Sequence, residues 1–140
     1  MNTILVPVDG SLHALHAVQA AIAASRQTGA KLYVVTVQAD VFTSNVKRFV
    51  STELLDEYYH DAGEAALKDI RELLKSEGVQ ASTEIMVGPI AETIVNYAKD
   101  KGCDLIIMGT RGMGAVSNLV LGSVATKVIN QVDIPVMLVK

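Results

Sequence analysis

Five short apolar runs, each parted from the next by a segment of helical periodicity, constrain this 140-residue chain more than any other feature. The runs are residues 3–9 (TILVPVD), 31–37 (KLYVVTV), 81–87 (ASTEIMV), 105–108 (LIIM) and 134–139 (IPVMLV). Continuous apolar runs of roughly four to eight residues read as strands buried on both faces, as in parallel sheets. The run at 81–87 alternates more and reads as a strand towards an edge. Strands that alternate with helices predict an α/β fold, a parallel sheet with helices on both faces.

Helices are expected at 12–27, at 51–76, from Pro89 until Gly102 stops the chain, and at 124–131. Ser11 is placed to cap the first and Gly29 to end it. Leu15, Val18 and Ile22 mark its buried stripe. In the second, Leu55, Tyr59, Ala62, Ala66, Ile70 and Leu73 keep a three-to-four spacing, with Gly63 expected to loosen it midway. Pro89 takes the first position of the third, in which Ile90, Ile94, Val95 and Ala98 face inward. Residues 38–50 read as a long loop, a length that suggests function. Pro7 removes a ladder donor, which costs least near the end of its strand.

The hydrophobic fraction is 50% and the aromatic fraction 4%, so aliphatic side chains build the core. One domain spanning residues 1–140 is expected. The net charge of -3, with scattered basic residues, argues against nucleic acid as a partner. Cys103 is the only cysteine, which excludes a disulfide framework and fits a reducing compartment. It reads as a half-buried structural thiol. The N-terminal residues lack the basic region of a signal peptide, and no apolar stretch reaches the length of a membrane span. A cytoplasmic protein that does not enter membranes is therefore expected.

Chemistry concentrates in residues 105–124, LIIMGTRGMGAVSNLVLGSV. A strand leads into Gly109, Gly112 and Gly114, then into Gly122-Ser123 and a helix start. Glycines let backbone N–H groups approach an anion with no Cβ in the way. The first turn of a helix adds N–H groups without internal partners and a favourable dipole. Glycine-rich loops also serve simply as turns.

The spacing Gly109, two residues, Gly112, nine residues, Gly122-Ser123 resembles the nucleotide motif of the universal stress protein family, in its ATP-binding branch. The resemblance covers most of the chain. It implies a Rossmann-like adenine nucleotide-binding fold with a five-stranded parallel sheet in the order 3-2-1-4-5. Its ligand crevice would lie where strands one and four meet. It further implies that Pro7, Val8 and Asp9 lie by the nucleoside. Backbone groups of Thr36 and Val37 would meet the adenine edge, and Met108 the nucleoside. Gly109, Gly112, Gly122, Ser123 and Val124 would wrap the phosphates. The implied cofactor is ATP, or ADP or AMP in its place, with Mg²⁺ or Mn²⁺ bridging the phosphate oxygens. Family members dimerise through the last strand, so a homodimer through residues 134–139 is expected, along with an unknown protein partner.

Several residues keep two readings. Asp9 before Gly10-Ser11 is a nucleoside-side acid or a turn acid. Arg111 is the loop's only cation, since residues 113–121 hold no Lys or Arg; it serves the phosphates or is a solvated side chain. Tyr58 and Tyr59 pack on the long loop or on a partner. His13 and His16 share a helix face, but a metal site needs further ligands, and His60 is distant. A P-loop, a Rossmann dinucleotide fingerprint and a receiver-type acid after the third strand are all missing. The leading function is a nucleotide-dependent regulatory module in stress response. The alternatives are a slow ATPase or phosphoryl-transfer enzyme, for which no base is evident, and a nucleotide-free dimeric scaffold.

Overall fold

The computed structural model describes residues 2–112 and 121–140. Its elements are β1 Thr3–Pro7, α1 Leu12–Thr28, β2 Lys31–Gln38, α2 Ser44–Phe49, α3 Thr52–Ser76, β3 Ala81–Val87, α4 Ile90–Asp100, β4 Leu105–Gly109, α5 Ser123–Gln131 and β5 Val136–Val139. The sheet order is β3-β2-β1-β4-β5, as expected from the sequence, and every ladder is parallel.

The period-two alternation of strand side chains divides the core between the two faces. Ile4, Val6, Val34 and Ile107 pack with Val18 of α1 and Leu67 of α3. Leu5, Val35, Ile106 and Met108 pack with Ile94 of α4 and Val128 of α5. Each fully buried aliphatic side chain contributes roughly 1.5–3 kcal/mol. β1 therefore lies buried on both faces between β2 and β4, and this central strand positions the site.

Local chemistry sets the ends of the helices. The Ser11 hydroxyl accepts the Ala14 N–H at 3.2 Å, and Gly29 closes α1 at φ 73°. The Ser51 hydroxyl accepts the Leu54 N–H at 3.1 Å to start α3. The Asp104 carboxylate accepts the N–H groups of Asn2 and Thr3, at 2.7 and 2.9 Å, tying the start of β1 to the approach to β4. Those two bonds hold its carboxyl below the usual aspartate range.

Four expectations need correction. Residues 38–50 are not all loop. They carry α2, capped by the Thr43 hydroxyl on the Val46 N–H and burying none of its own residues. Pro89 is the cap residue of α4, extended at ψ 120°, and not its first helical residue. β5 begins at Val136, and the Pro135 carbonyl before it accepts the Ile106 N–H. Gly63 does not loosen α3. It is buried, and a Cβ there would lie 2.8 Å from Cγ1 and Cδ1 of Ile85, so its missing side chain lets α3 settle on β3.

Smaller differences concern strand and stripe. β1 stops at Pro7, yet Val8 still donates to the Val35 carbonyl at 2.8 Å, so little pairing is lost. The buried stripe of α1 is Ala14, Ala17, Val18, Ala21 and Ile22, with Leu15 only partly covered. Alanines at the contact let this helix lie close to the sheet. Among the described residues, no helix is long and apolar enough to cross a membrane.

Candidate functional site

A crevice of about 570 Å³ opens beyond the carboxyl ends of β1 and β4. These strands are neighbours, with Ile4 opposite Leu105 and Leu5 opposite Ile106. The chain from β1 packs α1 on one face, and the chain from β4 packs α5 on the other. The connections thus leave to opposite faces and a cleft remains between them, as in open α/β sheets at a switch point. Its size suits a small organic ligand, for which roughly 300–1,000 Å³ is usual.

Pro7, Val8 and Asp9 line the crevice from the end of β1, and Val37 lines it from β2. Met108, Gly109, Arg111 and Gly112 come from β4 and the chain after it, and Gly122, Ser123 and Val124 from the start of α5. Thr36 is set apart from the others. It is buried and absent from the lining, with its hydroxyl accepting the Gln38 side-chain amide at 3.2 Å. Residues 113–120, Gly114 among them, lie outside the described residues.

Each glycine has a different neighbour. A Cβ on Gly112 would collide with the Asp9 carboxylate. A Cβ on Gly109 would lie 2.8 Å from the His13 Cβ and 3.2 Å from the Ala14 nitrogen, so Gly109 makes room for the first turn of α1. Gly122 donates its N–H to the Thr110 carbonyl at 2.6 Å, which draws the two ends of the glycine segment together. It is also the cap residue of α5, with no side-chain cap. The first-turn N–H groups of Ser123, Val124 and Ala125 have no acceptor within the helix, and all three residues line the crevice.

Asp9 combines its two readings. Its Oδ1 accepts the Ser11 N–H at 3.0 Å, the geometry of a turn acid, and its carboxylate also stands at the crevice beside Gly112. Arg111 is partly buried, with Nη2 3.1 Å from Nε2 of His13. It is the only Lys or Arg among the described lining residues. His16 turns elsewhere, with Nδ1 2.7 Å from the Lys140 carbonyl.

One wall escaped the sequence reading. Ala39 and Val41, Tyr58 and Tyr59 of α3, and Ile90 and Ile94 of α4 all face the crevice. The Tyr59 hydroxyl donates to Asp40 Oδ1 at 2.8 Å, and Lys47 of α2 meets Oδ2 at 2.6 Å. The Lys47 contact, then the Tyr59 bond, hold the Asp40 carboxyl below its usual range. The Phe42 ring lies 5.0 Å from Tyr58 and 5.8 Å from Tyr59. The segment after β2 is thus strapped to α3, and the tyrosine pair packs on it. The Tyr-Tyr doublet was the available signal. Cys103 lies outside the site and is buried rather than half-buried; burial pushes its thiol up.

An open parallel sheet in this order, with a glycine-lined crevice at its switch point, defines an α/β protein of the Rossmann-like class. The profile of the universal stress protein family matches residues 1–140, and the chain belongs to that family. Universal stress protein MJ0531 of Methanocaldococcus jannaschii is 35% identical over 98% of this chain and 81% of its own length. The solved structure of MJ0577, from the same organism, has a TM-score of 0.84 at 30% identity, over 99% of this chain and 95% of that one. A universal stress protein solved in complex with cAMP has a TM-score of 0.72 at 28% identity, over 99% of this chain and 97% of that one.

Proposed function

We propose that this chain binds an adenine nucleotide, ATP foremost, at the switch-point crevice and acts as a nucleotide-dependent regulatory module in stress response. One observation carries the reading. Gly112, Gly122 and the uncapped first turn of α5 converge with Asp9 on one cleft. Backbone donors at a helix start suit phosphate, and the apolar wall of Val37, Val41 and Met108 suits a base. The related protein solved with cAMP supports an adenine nucleotide as the ligand class. A triphosphate brings roughly four negative charges, more than Arg111 alone offsets. Mg²⁺ or Mn²⁺ accompanying the nucleotide would supply the remaining positive charge.

The test is mass analysis of ligand released from denatured purified protein, then calorimetric titration of stripped protein with ATP and Mg²⁺. A released adenine nucleotide, or saturable heat, supports the reading. Folded protein giving neither would leave the nucleotide-free scaffold in its place.

The same proposal includes a homodimer. Among the described residues β5 pairs only with β4, and its Met137 and Leu138 are 44% and 37% exposed. An apolar strand with one open edge invites a second copy. Sedimentation velocity of Leu138→Lys is expected to give monomer where the unmodified chain gives dimer. A monomeric unmodified chain would refute the dimer.

A further inference from the structure

We propose that His13 is the positioning residue for Arg111, and that the fixed guanidinium selects nucleotides by the length of their phosphate chain. The inference rests on the adenine-nucleotide reading and assigns a role within that site. Its basis is the 3.1 Å approach of Arg111 Nη2 to His13 Nε2. A guanidinium only donates, so Nε2 is the acceptor and the ring proton sits on Nδ1. The partner thereby defines the tautomer.

Three segments fix the backbone that carries His13. His13 lies in the first turn of α1, which the Ser11 cap holds at Ala14, and Asp9 holds Ser11 in turn. The end of β4 lies against the same turn. A Cβ on Gly109 would stand 2.8 Å from the His13 Cβ and 3.0 Å from its carbonyl carbon. Gly109 therefore serves the contact between β4 and α1, and through it the placement of His13.

Arg111 is the crevice's only cation among the described lining residues, and the sequence of 113–120 adds none. A free arginine loses rotamer freedom when it grips a phosphate, whereas a held one has lost it beforehand. A charge held at one point on the wall favours phosphate chains that reach it and is indifferent to those that do not. His13 thus acts on ATP through Arg111, and AMP binding should not depend on it.

The experiment titrates ATP with Mg²⁺, and separately AMP, into stripped full-length protein. The variants are His13→Leu, His13→Gln, Arg111→Gln and the double variant His13→Leu/Arg111→Gln. His13→Leu should weaken ATP roughly tenfold, the scale of one charge-assisted hydrogen bond, and leave AMP within about twofold. His13→Gln, whose amide oxygen can accept, should recover most of the loss. The double variant should be no weaker than Arg111→Gln alone. Equal losses for ATP and AMP, additive losses, or no rescue by glutamine would each overturn the inference while leaving nucleotide binding intact. An unmodified chain that binds neither nucleotide would overturn the functional reading and this one together. A ligand-free readout separates the contact from the selection. The ¹⁵N resonances of the His13 ring should report the Nδ1–H tautomer and move in Arg111→Gln; unmoved resonances would remove the contact itself.

Discussion

Gly112→Val is expected to abolish the proposed nucleotide binding, with a loss of at least roughly a hundredfold in affinity, or about 2.7 kcal/mol, in a chain that keeps its fold. A Cβ at this position meets the Asp9 carboxylate, and valine adds two methyl groups beyond it. The chain has two ways to relieve the overlap. The loop backs away from β1, carrying Arg111 with it, or Asp9 swings out and gives up the Ser11 N–H at 3.0 Å. The first moves the glycine side of the crevice and the second moves the side formed by the end of β1. Among the described residues a Cβ on Gly112 meets Asp9 and no core side chain, so the cost is expected to fall on binding and not on folding. Calorimetric titration with ATP and Mg²⁺, beside far-UV circular dichroism, checks both halves. Unchanged affinity would show that the glycine segment does not hold the ligand.

Gly63→Val has the opposite signature. It is expected to destabilise the fold by about 2–4 kcal/mol, the upper range for overpacking a core contact. Valine is also a slightly better helix former than glycine, but this gain is under about 1 kcal/mol and the collision outweighs it. The added Cβ sits 2.8 Å from two carbons of Ile85, a β-branched residue with little freedom to turn away on its strand. Either Ile85 leaves its rotamer or α3 lifts from β3. Urea unfolding measures the loss. Ile85→Ala in the same chain should return part of it, because the removed atoms are those that collide. Equal stability of Gly63→Val and the unmodified chain would mean that α3 and β3 are not in close contact.

These two glycines show what the sequence could and could not disclose. The strand runs were legible because a buried parallel strand is apolar throughout, and β3 was found at its full length because Gly78 and Gly88 bracket it. The strand order followed from the alternation together with the family resemblance. α2 was missed for a physical reason: it is six residues long and buries none of them, so it leaves no periodic trace. Gly63 was misread because helix propensity is local, whereas its reason for being glycine lies on another strand. Most of the proposed site was legible as the strand end at Asp9 and the glycine spacing. The wall made by Tyr58, Tyr59, Ile90 and Ile94 was not, since α3 and α4 bring it in from distant parts of the chain. Thr36 and Val37 are adjacent in sequence, but the pleat sends their side chains to opposite faces, and of the two Val37 lines the crevice.

The burial of Cys103 has a practical consequence. At 6% exposure, with its thiol pushed up by burial, it offers almost no thiolate to an alkylating reagent while the fold is closed. As the chain's only cysteine it has no competitor for the label. It lies in the segment joining α4 to β4 and packs in the core cluster that both elements share with α5, so reagent reaches it when that packing opens. The rate of labelling therefore counts openings of that layer, and native alkylation followed over time becomes a clock for local unfolding.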